Sequence, residues 1–250
     1  MGEAMIVQTE GIVLKSFNIR ETSRIVTFFT KDFGKVKGIL KGIRKDPKKF
    51  GSNVDNFSVN GIVYYQYRRS DIHLVSQCDL KDYFFPIRKD LKRSLAASYM
   101  LELVAAILPS EEPNGEVYQL MLDFLNTLSK QEDINKLVHI FQIKILVLSG
   151  FKPHIDSCLR CQKTIKGRVR FSLQLGGLIC WECPLDDPQA RLVSQGTIAS
   201  LLHIEHNDWH KSLRLGLTPT VKQELKGILN EFLVFHLERH LKSTKYLATI

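Results

Sequence analysis

The sequence predicts a multidomain α+β protein: an N-terminal β-barrel, a discontinuous helical-bundle domain and an inserted four-cysteine unit. Three observations predict it. Apolar residues recur in short β-branched runs through the first eighty positions, then switch to helical spacing from about residue 86. Two Cys-x2-Cys pairs, Cys158/Cys161 and Cys180/Cys183, stand eighteen residues apart in a segment that interrupts the helical pattern. Helical spacing returns at Ser194, so the insert splits one helical domain. The expected boundaries are 1–80 for the barrel, 81–153 and 190–250 for the two helical parts, and 154–189 for the insert.

The barrel is read from strands at Ile6–Val7, Gly11–Phe17, Arg24–Thr30, Lys35–Leu40, Gly61–Tyr67 and Asp71–Val75. Turn residues separate them at Asp32–Gly34, Asn60–Gly61 and Ser70–Asp71. So many strands in so short a segment must close or pack to bury one face, and a small barrel is the economical solution. A five-stranded OB barrel fits; strand number alone does not separate it from an SH3-like barrel. Phe17, Tyr64, Tyr65 and Tyr67 are either core or stacking faces for bases.

Helices follow at Ile87–Leu108, Val117–Leu128 and Ile134–Leu148, the last ending at Gly150 as a C-cap. After the insert they resume at Ser194–His203 and Pro219–Lys242. Thr218 is the N-cap of the last and Pro219 its first residue. Arg239, His240, Lys242 and Lys245 at its end suit the helix dipole.

With 44% hydrophobic and 24% charged residues, the composition is that of an ordinary globular protein. It excludes a disordered chain, a collagen-like repeat and a disulfide-dense secreted scaffold. No membrane span is expected, because the most apolar stretch, Leu101–Leu108, is broken by Glu102 and stops at Pro109. No secretory signal or myristoylation site is read at the N-terminus. The expectation is a cytosolic protein with reduced cysteines.

The net charge is +9, and it is concentrated. Eight of nineteen residues in 31–49 are cations, opposed only by Asp32 and Asp46. In 35–41, Lys35, Lys37 and Lys41 share one parity while Val36 and Leu40 share the other, so a strand would carry lysines on one face. A basic loop containing Arg44, Lys45, Lys48 and Lys49 follows. A charged strand running into a charged loop can track a phosphate backbone. The alternative is a solvated basic loop.

The cysteine spacing is the strongest chemical signal. Each pair makes a tight knuckle, and the stretch from Arg168 to Ile179, with Gly176 and Gly177 at its turn, reads as a hairpin that brings the knuckles together. Four thiolates so placed hold tetrahedral Zn2+, one per chain, in a closed structural site. Arg160, Lys163, Lys166, Arg168 and Arg170 make this insert basic too, as a second DNA contact or a solvated hairpin. Cys78 stands apart and is expected to be buried.

Other candidates are weaker. His236 and His240 flank Glu238 in the wrong order for a metalloprotease helix, and helix-end cations explain them more simply. His203, His206 and His210 form a loose cluster. Asp79/Asp82 and Asp186/Asp187 are carboxylate pairs without a supporting constellation. Walker A, dinucleotide-binding and nucleophile-elbow motifs are absent from the sequence, and no enzymatic activity is expected.

The order of these parts resembles the RecO family of bacterial DNA repair and recombination mediators. The resemblance is carried by Glu10–Lys15, Glu21–Thr30, Phe33-Gly34-Lys35, Lys41–Lys45 and Lys49-Phe50-Gly51. Further on it is carried by Ala97–Leu103, Leu146–Phe151, the cysteine pairs with Gly176-Gly177-Leu178 before the second, and Leu237–Leu241. It implies an OB-fold domain that binds single- and double-stranded DNA without sequence preference and anneals complementary strands without ATP. It implies action with RecR, contact with the C-terminal tail of the single-stranded DNA-binding protein (SSB), and loading of RecA, in the bacterial cytoplasm at the nucleoid. Zinc would be scaffolding. DNA binding carries over to Lys35, Lys37, Lys41, Arg44, Lys45, Lys48 and Lys49, with Arg20 and Arg24 beside them. Two rivals stand against this reading: a zinc-containing protein–protein adaptor without a direct DNA role, and a metal-dependent nuclease.

Overall fold

The computed structural model describes residues 5–46, 50–51, 54–110, 112–184, 187–237 and 241–249. The chain forms two compact units, Met1–Lys130 and Gln131–Ile250. Among the described residues, no helix is long and apolar enough to cross a membrane.

The first unit opens with β1 (Met5–Ile19), β2 (Ser23–Thr30), β3 (Gly34–Leu40), β4 (Val59–Gln66) and β5 (His73–Asp82). They close into a barrel in the order β1-β2-β3-β5-β4. All neighbours are antiparallel except β3 and β5, which run parallel at Gly38 beside His73 and Ile39 beside Leu74. This closed five-stranded Greek key is the OB fold.

Where the sequence pattern suggests two short runs, β1 is one strand. A register shift between Val13 and Lys15 bends it, so its first half pairs with β4 and its second with β2. β5 runs on to Asp82, past Val75 where the apolar pattern fades, because its ladder with β4 continues from Gln77 to Asp82. The barrel core contains Val13, Val26, Phe28, Val36, Leu40, Ile62, Val75 and the buried Cys78. Tyr64 belongs to this core, stacked on His73 at 5.5 Å and edge-on to Phe33 at 6.4 Å, so its ring is not available to bases. Phe17 and Tyr67 are exposed.

The helical run from Ile87 is broken in two: α1 (Phe85–Arg88) and α2 (Leu91–Ile107). The Asp90 carboxylate accepts from Arg93 N–H at 3.0 Å and starts the second helix afresh. α3 (Gly115–Leu128) is capped in the same way by Asn114. α3 reaches the barrel through Tyr118, whose hydroxyl donates to Glu10 Oε1 at 2.8 Å and whose ring lies 6.3 Å from that of Phe29. Gly34 sits at the same junction with φ +65°, and a Cβ there would lie 2.3 Å from the Glu112 carbonyl oxygen. Both the backbone conformation and the close approach demand glycine.

The second unit holds α4 (Ile134–Leu148), then β6 (Val169–Ser172), β7 (Gly177–Cys180) and β8 (Arg191–Val193) in the order β7-β6-β8. It ends with α5 (Gln195–His206), α6 (Trp209–Leu213), α7 (Pro219–Leu237) and a 3-10 segment at Lys242–Thr249. β8 and α6 are too short to leave a periodic signal. The final helix reads as one element to Lys242 from sequence; α7 ends at Leu237, and residues 238–240, including Glu238, Arg239 and His240, lie outside the described residues. Thr218 caps it, its Oγ1 accepting from Val221 N–H at 3.3 Å. Apolar faces of α4, α5 and α7 form the helical core, within which His139 is buried beside Gln142 at 3.2 Å. Gln142 Nε2 in turn donates to Asn230 on α7 at 3.2 Å. Burial lowers the His139 pKa, so it is held as a neutral imidazole.

Candidate nucleic-acid interface and metal centre

β3 alternates as its sequence predicts: Val36, Gly38 and Leu40 point inward, and Lys35, Lys37 and Ile39 point outward. Its register with β2 sets Lys37 beside Thr27, and Arg24 beside Leu40. The outer β2–β3 face therefore carries Lys37, whereas Arg24, paired with the inward-pointing Leu40, lies on the other face of β2. At the end of the outer face, the β1–β2 turn meets the turn that leaves β3. Arg44 N–H donates to the Thr22 carbonyl at 3.0 Å, and Arg44 Nη1 to the Arg20 carbonyl at 3.2 Å. This junction gathers Arg20, Lys41, Arg44 and Lys45, all exposed, with Ile43 buried beneath as the anchor.

Not every predicted cation joins them. The Lys35 ammonium donates to the carbonyls of Ala105 and Leu108 at the end of α2, the first at 3.0 Å, where a cation offsets the helix dipole. Arg24 donates to Asn18 at 3.0 Å and lies 3.6 Å from Asp55. Lys48 and Lys49 lie outside the described residues. Sequence reasoning passed over Arg68 and Arg69, exposed in the β4–β5 loop. That loop, with the β1–β2 loop, borders the face that OB folds use for oligonucleotides. A cleft of 270 Å³ lined by Lys35, Lys37, Asp71 and Ser110 opens between the loop and β3.

In the second unit, β6 and β7 form the hairpin expected between the cysteine pairs, with Val169 beside Cys180. Gly177 allows His154 to bridge onto β7; a Cβ there would meet the His154 carbonyl oxygen at 2.3 Å. The first knuckle is closed by Gln162 N–H donating to Cys158 O at 2.9 Å, and the second by Cys183 N–H donating to Cys180 O at 3.3 Å. The four sulfurs then lie within 4.8 Å of one another. Four metal–sulfur bonds of about 2.3 Å at tetrahedral angles put sulfurs about 3.8 Å apart. Cys161 and Cys180 sulfurs are 3.8 Å apart, so the donor set fits a metal ion.

The Cys158 thiol is electrostatically prepared for one. Burial opposes ionisation of Cys158, but backbone N–H groups of Cys161, Cys180 and Arg160 outweigh it and bring its pKa to about 6. Cys180 N–H lies 3.3 Å from that sulfur. Cys183 is pushed up to about 12, chiefly by the hydrogen bond with Cys180.

Residues 5–84 match the family described as Recombination protein O N terminal, and residues 88–245 match Recombination protein O C terminal. The chain belongs to the RecO family. DNA repair protein RecO of Syntrophus aciditrophicus is 32% identical over 247 residues, covering 97% of this chain and 95% of the relative. DNA repair protein RecO of Alkaliphilus metalliredigens is 30% identical over 236 residues, covering 94% and 95%. That of Moorella thermoacetica is 30% identical over 247 residues, covering 98% and 91%.

For this RecO-family chain, the remaining candidates resolve into structural roles. Asp187 is buried, accepting from Ser172 at 2.6 Å and from Gln189 N–H at 2.9 Å; Asp186 lies outside the described residues. Asp82 accepts from Phe84 N–H at 2.8 Å. His206 Nδ1 lies 2.9 Å from the Leu202 carbonyl of its own helix. Among the described residues, the four cysteines are the only cluster with metal-ligand geometry.

Proposed function

We propose that this protein is a DNA repair and recombination mediator without enzymatic activity. It binds single- and double-stranded DNA without sequence preference and anneals complementary strands without ATP. Together with RecR, and through contact with the SSB C-terminal tail, it helps load RecA onto SSB-coated strands in the cytoplasm, at the nucleoid. Family membership supports the repair role. The observation that carries DNA binding is the basic OB surface of Arg20, Lys37, Lys41, Arg44 and Lys45.

The mechanism is charge neutralisation. Two strands held on one cationic surface repel each other less and meet at higher local concentration. Phosphate contacts release counterions and carry no base readout, which accounts for binding without sequence preference. The annealing step needs no nucleotide site, consistent with the absence of a Walker A motif from the sequence.

The metal is Zn2+, one per chain, held by Cys158, Cys161, Cys180 and Cys183. When bound, it cross-links two knuckles that have little core of their own, and four thiolates leave no position for water or substrate. Its role is therefore scaffolding.

The test is annealing of two complementary fluorescent oligonucleotides without ATP or Mg2+. Annealing well above the spontaneous rate, with strands intact, supports the mediator. No acceleration, with binding lost at about 150 mM salt, would refute it; strand cleavage on adding Mg2+ would refute the non-enzymatic assignment.

A further inference from the structure

Trp181 follows Cys180 directly and is 51% exposed, unusual for so large an apolar ring. The hairpin register explains its position. Trp181 N–H donates to the Arg168 carbonyl at 3.2 Å, which sets the indole across from Arg168 and diagonal to Arg170. Both guanidinium groups lie over the ring, at 5.5 and 5.0 Å from its centroid. The alternate residues Val169 and Phe171 point inward and are buried, the latter 6.1 Å from the Phe232 ring. One face of the hairpin thus belongs to the core, and the other presents an indole bracketed by two cations. Arg160, Lys163 and Lys166 are exposed in the same unit; among its described residues, Asp156 and Glu182 are the exposed acids.

An exposed flat ring beside cations matches the alternation of base and phosphate in a nucleic acid single strand. Stacking is tolerant of sequence because every base has a π-face. A duplex keeps those faces occupied by neighbouring bases. An acidic peptide would use the cations but gain little from the ring.

We infer that Trp181, flanked by Arg168 and Arg170, is a base-stacking contact for single-stranded nucleic acid on the four-cysteine unit. It is a second contact in addition to the basic barrel surface and rests on the DNA-binding reading proposed above. The cysteine cluster positions it, because Cys180 is its chain neighbour. This gives the unit a strand-discriminating role that the barrel's phosphate contacts do not supply.

The chain has two tryptophans, and the other, Trp209, is buried, so quenchable emission reports Trp181. The zinc-loaded full-length protein is titrated with oligo(dT) while tryptophan emission is followed. Binding of labelled oligo(dT) and of a duplex is then compared for the wild type, Trp181→Ala and Trp181→Phe. Saturable quenching is expected. Trp181→Ala should weaken single-strand binding about tenfold, leave duplex binding unchanged and retain one zinc per chain, while Trp181→Phe recovers most of the loss. Unchanged emission with wild-type single-strand affinity in Trp181→Ala overturns the inference. So does an equal loss on duplex, or quenching by poly-glutamate but not by oligo(dT). If the inference fails while Lys41→Gln/Arg44→Gln/Lys45→Gln still weakens binding, the proposed function stands. If the wild type binds no DNA at all, both fall.

Discussion

Replacing Lys41, Arg44 and Lys45 by glutamine removes three exposed cations without touching the barrel core. Arg44 holds the junction through its backbone N–H to Thr22, which glutamine keeps, while Ile43 stays buried. Five cations line the proposed surface, because Lys35 is engaged at the end of α2 and Arg24 with Asn18 and Asp55. Each phosphate contact on a single strand contributes about −0.7 to the slope of log K against log salt, so five contacts give about −3.5 and the two left in the variant about −1.4. Between 50 and 200 mM salt, wild-type affinity should fall roughly 130-fold and that of the variant about 7-fold. Anisotropy of a labelled oligo(dT) at four or five salt concentrations measures both slopes. A wild-type slope near −1, or a variant slope equal to the wild type, would refute phosphate neutralisation by this surface.

Three further outcomes follow from the same coordinates. Cys158→Ser should release the metal and lower thermal stability, because the Cys158 sulfur is the buried member of the cluster; a variant that still holds one zinc per chain refutes the ligand set. Gly34→Ala combines a left-handed backbone with a Cβ 2.3 Å from Glu112 O, and should cost about 2–4 kcal/mol by denaturant unfolding; a loss below about 0.5 kcal/mol would contradict the placement. His139 has a lowered folded pKa, chiefly through burial, so the unfolded chain takes up its proton first as pH falls below about 6.5. Stability should therefore decline on acidification from pH 7 to 5, by at most about 1.4 kcal/mol per pH unit from this group, and His139→Gln should flatten the decline in a melting series.

The basic surface and the metal centre differ in how local their determinants are. Cys158 and Cys161 share one knuckle, Cys180 and Cys183 another, and Gly176-Gly177 turns the hairpin between them, so all the information lies within 26 residues. The alternation of Lys35, Val36, Lys37 and Gly38 likewise fixes which side of β3 is charged. What spacing cannot reach is the choice of distant partners. Lys35 and Lys37 look alike in sequence, but one donates to carbonyls seventy and more residues away and the other stays exposed. Tyr64, Tyr65 and Tyr67 look alike too, and barrel closure buries the first while leaving the last outside.

The sequence by itself therefore determined the strand-to-helix order, the charged face of β3, the helix cap at Thr218 and the four-sulfur set. Each depends on residues a few positions apart, where backbone geometry sets which side chains meet. Tertiary structure alone decided the parallel closure of β3 on β5, the union of Arg20 with Arg44, the withdrawal of Lys35 to α2 and the bracketing of Trp181 by two arginines. Those outcomes follow from packing and hydrogen bonding between segments far apart or differently registered along the chain, and local periodicity carries no record of them.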